Sequence, residues 1–177
     1  MGANQWTLVT WVMVVLVILI WWRLRIRFIV SERSWLPREL RDAELIYAEH
    51  VFRSGGDVPI IAKCDRGYRV KKSGIVLLEL KTRRMNRSYL SDVIELSAQR
   101  FAIQMQTGEC VADYGYVLVQ ISGRKVKYCH RVELLAAERV VALARRREMI
   151  INGNDGPRYA CSRGLCAKCK FSKKCID

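Results

Sequence analysis

Asp65 and the triplet Glu79-Leu80-Lys81 are the residues whose types and spacing suit a reaction. They lie on two β-rich runs, Ile60–Val70 and Ile75–Arg83, parted by the polar turn Lys71-Lys72-Ser73-Gly74, a pattern that predicts a hairpin. The second run is apolar until Glu79 and Lys81 interrupt it, and a buried strand does not end in two charges without a use for them. Side chains alternate along a strand, so Glu79 and Lys81 share one face and Leu80 takes the other. Asp65 is expected across the hairpin from them. Two carboxylates converging with an ammonium suit Mg²⁺ or Mn²⁺, which prefer hard oxygen ligands. A lysine beside such an ion can orient a water and offset the charge of a phosphate.

A second constellation closes the chain. Cys161, Cys166, Cys169 and Cys175 have the spacing C-x4-C-x2-C-x5-C, close enough for four thiolates to share one centre. Arg163 and the surrounding lysines favour the thiolate form. Spacing alone leaves zinc and an iron–sulfur cluster both open. The other three of the seven cysteines, Cys64, Cys110 and Cys129, are scattered and read as small core residues. An odd total argues against a plain disulfide framework.

Asp65 followed by Glu79-Leu80-Lys81 after a short hairpin resembles the PD-(D/E)XK nuclease superfamily. Leu45–Arg53, turning at Gly55-Gly56-Asp57, fits the strand that precedes it. The resemblance implies that Asp65 and Glu79 bind the metal, that the Leu80 carbonyl adds a ligand and that Lys81 is the catalytic lysine. Cys166, Cys169 and Cys175 resemble the C-terminal triplet of the iron–sulfur branch, including the CRISPR-associated RecB-like exonucleases and AddB-type nuclease domains. There a fourth cysteine commonly precedes the nuclease core. Here no cysteine precedes Cys64, which is expected to point off the opposite strand face, so Cys161 is assigned as the fourth ligand. The branch implies a [4Fe–4S] cluster, with Zn²⁺ as the alternative. Many of its members carry Q-x-x-x-Y on the following helix; here Glu95 stands for the glutamine and Gln99 for the tyrosine, and both are kept as nucleic-acid contacts. Several also place a metal-binding histidine upstream, where this chain offers His50, with Glu44 or Glu49 as a substitute carboxylate. His130 reads as an ordinary strand histidine.

The positioning elements follow from pattern. Pro37 opens a short helix to about Ala43. Ser88 or Ser91 caps a helix running to about Thr107, with an apolar side at helical spacing and Gly108 as its stop. Tyr114–Gln120 and Lys125–Val132 read as strands about a turn at Gly123, and Leu134–Ile151 as a basic helix broken by Gly153–Pro157. The order of helix, three strands, helix, two strands and helix is α/β, and the resemblance makes it a restriction-endonuclease-like mixed sheet flanked by helices.

Before all of this, Trp6–Trp22 is seventeen residues without a charge, framed by tryptophans and followed by Arg23, Arg25 and Arg27. That is long enough for a membrane helix, with the C-terminal side held in the cytoplasm by the positive-inside rule. A cleaved signal would need a basic start and a small-residue site, which are missing. The reading is an anchor over 1–30, a nuclease-like domain over 31–157 and a four-cysteine tail over 158–177. The net charge of +14 falls wholly on residues 23–177 and favours a polyanion as partner. Arg83, Arg84 and Arg87, directly after the active strand, are expected to hold a phosphate backbone. The expected function is a membrane-anchored, Mg²⁺- or Mn²⁺-dependent DNA nuclease, an exonuclease on single-stranded or free ends by analogy. The alternative is a catalytically inactive, membrane-tethered nucleic-acid-binding module of the same fold.

Overall fold

A computed structural model describes residues 11–23, 34–124, 126–156 and 169. Residues 11–23 are helical (α1) and exposed throughout. Next come α2 (Arg38–Arg41), β1 (Glu44–Arg53), β2 (Ile61–Val70), β3 (Gly74–Arg83), α3 (Leu90–Thr107), β4 (Val111–Ile121), β5 (Lys127–Glu133) and α4 (Ala137–Ile151). The strands form one sheet in the order β1-β2-β3-β4-β5. Only the β3–β4 pair is parallel, because α3 carries the chain across between them. The predicted mixed α/β sheet with flanking helices is therefore present.

The alternation of apolar residues explains how the sheet is covered. On one face Ile75 and Leu77 of β3 join Val117 and Val119 of β4 beneath Leu96, Ala102 and Ile103 of α3. On the other, Val76, Leu78 and Leu118 pack under Leu36 and Leu40. β3 is thus buried on both sides, which is why it reads as a continuous apolar run. The short α2 segment is held there by more than packing: Glu39 accepts hydrogen bonds from the hydroxyls of Tyr114, at 3.0 Å, and Tyr116.

Several boundaries differ from expectation for identifiable reasons. α2 ends at Arg41, short of Ala43, because β1 already begins at Glu44. Neither Ser88 nor Ser91 caps α3. The cap position is Tyr89, whose backbone N–H donates to Asp92 Oδ2 at 2.8 Å. α4 starts at Ala137 because the Leu134 and Leu135 N–H groups are spent outside the helix, on the Asp113 carbonyl at 2.7 Å and on Ser97 Oγ of α3 at 2.9 Å. Gly108 does close α3 in the left-handed region, its N–H donating to the Gln104 carbonyl.

Among the described residues no helix is long and apolar enough to cross a membrane. Residues 6–10 of the expected span lie outside the described residues, as do Cys161, Cys166 and Cys175 of the tail.

Gly74 is the turn residue that sets the β2–β3 register. It has φ +77°, and a Cβ there would stand 2.4 Å from the Cys110 carbonyl oxygen. That carbonyl also accepts the Ile75 N–H at 2.9 Å and so ties the hairpin to the start of β4. Gly74→Ala is expected to lower unfolding free energy by about 2–3 kcal/mol in urea titration. Gly108→Ala, strained in φ but with open space around it, should lose only about 1 kcal/mol.

Candidate active site

The site is built where β3 leaves the core. Successive odd residues of β3 run from Ile75 and Leu77, under α3, to Glu79 and Lys81. Glu79 is 2% exposed. A carboxylate this deep must be hydrogen-bonded or neutral. Its Oε1 accepts from Lys81 Nζ at 2.6 Å and its Oε2 from Gln99 Nε2 at 2.7 Å. Burial pushes the carboxyl up, Lys81 and Gln99 pull it down, and Asp65 and Glu95 add to the rise, leaving it at about 7. Lys81 Nζ also donates to Glu95 Oε2 at 2.7 Å. Burial works against its charge, but the two glutamates outweigh it and keep the ammonium protonated.

Asp65 reaches the same place by another route. The β2–β3 ladder is regular from Val70↔Gly74 to Arg66↔Leu78 and stops one rung short of Asp65. Asp65 Oδ2 then accepts the Leu80 N–H at 2.9 Å, so a side chain continues the ladder. This fixes Asp65 beside Glu79 along β3, and each carboxylate lies within the other's field. At the same level the backbone of β1 is irregular. Pairing passes from Ala48↔Arg66 to His50↔Cys64, which puts Glu49 across from Asp65, and Glu49 has φ +52°. A left-handed glutamate is a strained backbone held in place by its surroundings.

The same irregularity corrects the expected direction of Cys64. Cys64 is fully buried in the α3-side cluster with Ile75 and Leu77. The Cβ position of Gly67, three residues on, also meets Ile75. Strand β2 therefore slips face by one residue between them, and simple alternation fails at Asp65. Burial, with Asp65, Glu79 and Glu49 adding to it, pushes the Cys64 thiol up to about 12, so it stays protonated.

Three other expected residues have different tasks. Gln99 is 1% exposed and holds Glu79, so it is no surface contact for nucleic acid. Glu95 is exposed but committed to Lys81. Arg83 grips Asp92 through both guanidinium nitrogens, one at 2.7 Å to Oδ2, and stacks on the Tyr89 ring at 4.6 Å. Burial pushes the Asp92 carboxyl up, but Arg83 and the Tyr89 amide overcome it and hold it below the usual range. Arg83 thus ties the start of α3 to the end of β3. Arg87 stacks on the opposite end of this arrangement, 4.5 Å from Tyr89, and Arg84 is exposed.

The upstream histidine is not at the site: His50 packs against Tyr47 and Phe52. Glu49 pairs with Lys63, and Glu44 sits at the far end of β1 opposite Arg69. His130 does more than expected, its Nε2 lying 2.7 Å from Asn86 Oδ1. The buried roles of Gln99 and Asp92 were hidden by their polarity. The one available signal for Gln99 was its place one turn after Glu95, on the same helix face.

Among the described residues no group of three or more His, Cys, Asp and Glu side chains is gathered as a metal site. The donor chemistry nonetheless suits a divalent cation. Asp65 is fixed on the Leu80 amide and lies close enough to Glu79 to raise its affinity for a proton, so two carboxylates meet at one strand end. Gln99 Oε1 is a buried acceptor without a partner among the described residues, which a bound water would satisfy.

Solved structures similar to this chain include "Crystal structure of SSO0001", with a TM-score of 0.46 and 19% sequence identity over 73% of this chain and 58% of that one. The chain thus spans a little over half the length of that neighbour. No family model matches the sequence, and no curated protein does.

Glu79 makes stability depend on pH in a definite direction. Below about 4.5 the group is protonated in both folded and unfolded chains. As pH rises to about 7 the unfolded chain ionises first, so stability falls through this window and stays lower above it. Glu79→Gln should lack this loss. Between pH 5 and 7.5, in metal-free urea titrations, the wild type should lose on the order of 1–3 kcal/mol more than the variant.

Proposed function

We propose that this chain is a divalent-metal-dependent nuclease of the PD-(D/E)XK type that hydrolyses phosphodiester bonds in DNA. The observation that carries the reading is Lys81 Nζ held at 2.6 Å on the buried Glu79 and at 2.7 Å on Glu95, beside an aspartate fixed on the Leu80 amide. Salt bridges at strand ends are common, but they are seldom built on a carboxylate this deeply buried.

Asp65, Glu79 and the Leu80 carbonyl would hold Mg²⁺ or Mn²⁺. Such an ion, when bound, makes a water more acidic and neutralises charge on the phosphate. The chain's own residues do the rest. Gln99 fixes the Glu79 carboxylate plane. Glu95 and Glu79 together fix Lys81, so that its ammonium is a preorganised positive charge beside the scissile phosphate and a donor to the attacking water. Binding the ion requires Glu79 to lose its proton, so affinity should strengthen as pH rises from 6 to 8.

The anchor and the tail belong to the same proposal. Trp6–Trp22 would span the membrane once, with the catalytic domain in the cytoplasm. Its support is the uncharged run and the arginines that follow it. Cys161, Cys166, Cys169 and Cys175 would hold a [4Fe–4S] cluster, or zinc in its place. Digestion of single-stranded or free ends is the substrate preference that the resemblance favours.

One observation favours a second reading, a nucleic-acid-binding module without turnover. Both oxygens of Glu79 are already taken, by Lys81 and Gln99, so a metal would have to compete for them.

The test is the full-length chain with Mn²⁺ and labelled single-stranded DNA. Asp65→Asn, Glu79→Gln and Lys81→Ala should each reduce cleavage by about 100-fold or more while leaving DNA binding in place. Wild-type cleavage that Lys81→Ala leaves intact would reject the mechanism; binding without cleavage would select the second reading. The anchor and cluster are checked together on one preparation. The chain should resist alkaline extraction from membranes, and the detergent-solubilised protein should be brown and lose its visible absorbance when Cys166→Ala and Cys169→Ala are combined. A colourless protein containing stoichiometric zinc would select the alternative metal.

A further inference from the structure

Beyond β3 the chain forms a second, separate cleft. Arg84, Asn86, Ile121, Ser122, Arg124 and Tyr128 line a cavity of about 370 Å³. Among the described residues no carboxylate lines it. Every polar group in it is able to donate a hydrogen bond: two guanidiniums, an amide, a hydroxyl and a phenol. Asn86 is oriented by His130, whose Nε2 meets the amide oxygen at 2.7 Å, so the amide NH₂ is left for other partners. In a structure where Arg83 and Arg69 are both spent on carboxylates, Arg84 and Arg124 form no ion pair among the described residues. An exposed aromatic ring, Tyr128, completes the wall.

Strand register locates the cleft relative to Lys81. Lys81 stands opposite Val119 across the β3–β4 pair, and Val119 opposite Tyr128 across β4–β5. Residues directly opposite share a face, so Lys81, Val119 and Tyr128 form one cross-sheet row. Tyr128 is therefore two strands from Lys81, about 10 Å, on the same face. The neighbouring row runs Glu79, Val117 and His130. The loop after β3 crosses this face to bring Asn86 to His130, and it carries Arg84 with it.

We propose that this cleft is a nucleic-acid subsite. Arg84 and Arg124 clasp a backbone phosphate, with Asn86 and Ser122 as further donors, and a base stacks on Tyr128. A lining in which every polar group can donate and no described one is anionic selects the phosphate, and the adjoining ring selects a nucleotide over a bare anion. The row geometry places this nucleotide close to the one held at Lys81. The subsite deepens the nuclease reading, on which it rests for the identity of the ligand.

The test separates the two. Full-length protein is titrated into a fluorescent oligothymidylate in buffer without divalent metal, so that no cleavage enters the measurement. Arg84→Ala combined with Arg124→Ala should weaken binding at least tenfold and make the slope of log K against log salt shallower by about 1.4, two single-strand phosphate contacts' worth. Tyr128→Ala should weaken binding about 5- to 50-fold with the salt slope unchanged, and Tyr128→Phe should restore most of it. The control is Lys71→Ala with Lys72→Ala, which removes the same charge from the turn at the other end of β3. If the arginine pair changes affinity and slope no more than the lysine pair does, the subsite is wrong and only diffuse charge is at work. If Tyr128→Ala binds as wild type, no base stacks there and the proposal fails in that half. Absence of cleavage with Mn²⁺ in a separate assay would overturn the nuclease reading and leave these binding results standing.

Discussion

Burial of the Glu79 carboxyl is the constraint on which the rest of this structure turns. A charge taken out of water at the end of an apolar strand is unfavourable by several kcal/mol unless neighbours replace the water. Here Lys81 and Gln99 replace it, and they come from two elements, β3 and α3. The position of α3 over the sheet is consequently set by polar chemistry at one end and by Leu96, Ala102 and Ile103 along the rest. Arg83 and Asp92 repeat the same device two turns before Gln99 in the helix. Two β3-to-α3 ion pairs, Lys81–Glu95 and Arg83–Asp92, tie the crossover helix to the strand it leaves.

That arrangement also explains why the carboxyl is balanced near neutrality. Two donors are not quite enough to offset burial next to Asp65 and Glu95, so the proton is held to about 7. A group so placed gains most from any further positive charge. The geometry that is a burden to the free protein is an advantage once a cation arrives, and sites of this kind trade stability for function.

The sequence made the outline of the sheet legible because β3 is buried on both sides and the turn residues are explicit. Gly74 and Gly108 occupy the left-handed positions that their places in the pattern require. The acid–acid–lysine pairing was legible for the same reason, since two charges closing an apolar run have few structural uses. The details that alternation could not give sit at one place. Strand β2 slips face between Cys64 and Gly67, opposite a left-handed Glu49, and no propensity scale assigns that conformation to glutamate. Periodicity describes regular strands, and the site is where the strand is irregular. Gln99 and Asp92 escaped for a different reason. A polar residue on an amphipathic helix reads as solvent-facing, and only the coordinates reveal a buried partner beneath it.

The division of the arginines after β3 has a consequence for how charge is used. Arg83, the first of them, is fixed by Asp92 and the Tyr89 ring, and its charge is neutralised locally. Arg84, next in sequence, lies just past the end of β3 and lines a cleft with no carboxylate among its described residues. One residue of offset thus separates an arginine that builds the fold from one available to an anion. Counting basic residues along the sequence treats them alike; the carboxylate beside one of them does not. The net charge of +14 already cancels pairs such as Arg83–Asp92, and Arg84 and Arg124 belong to the excess that is left over.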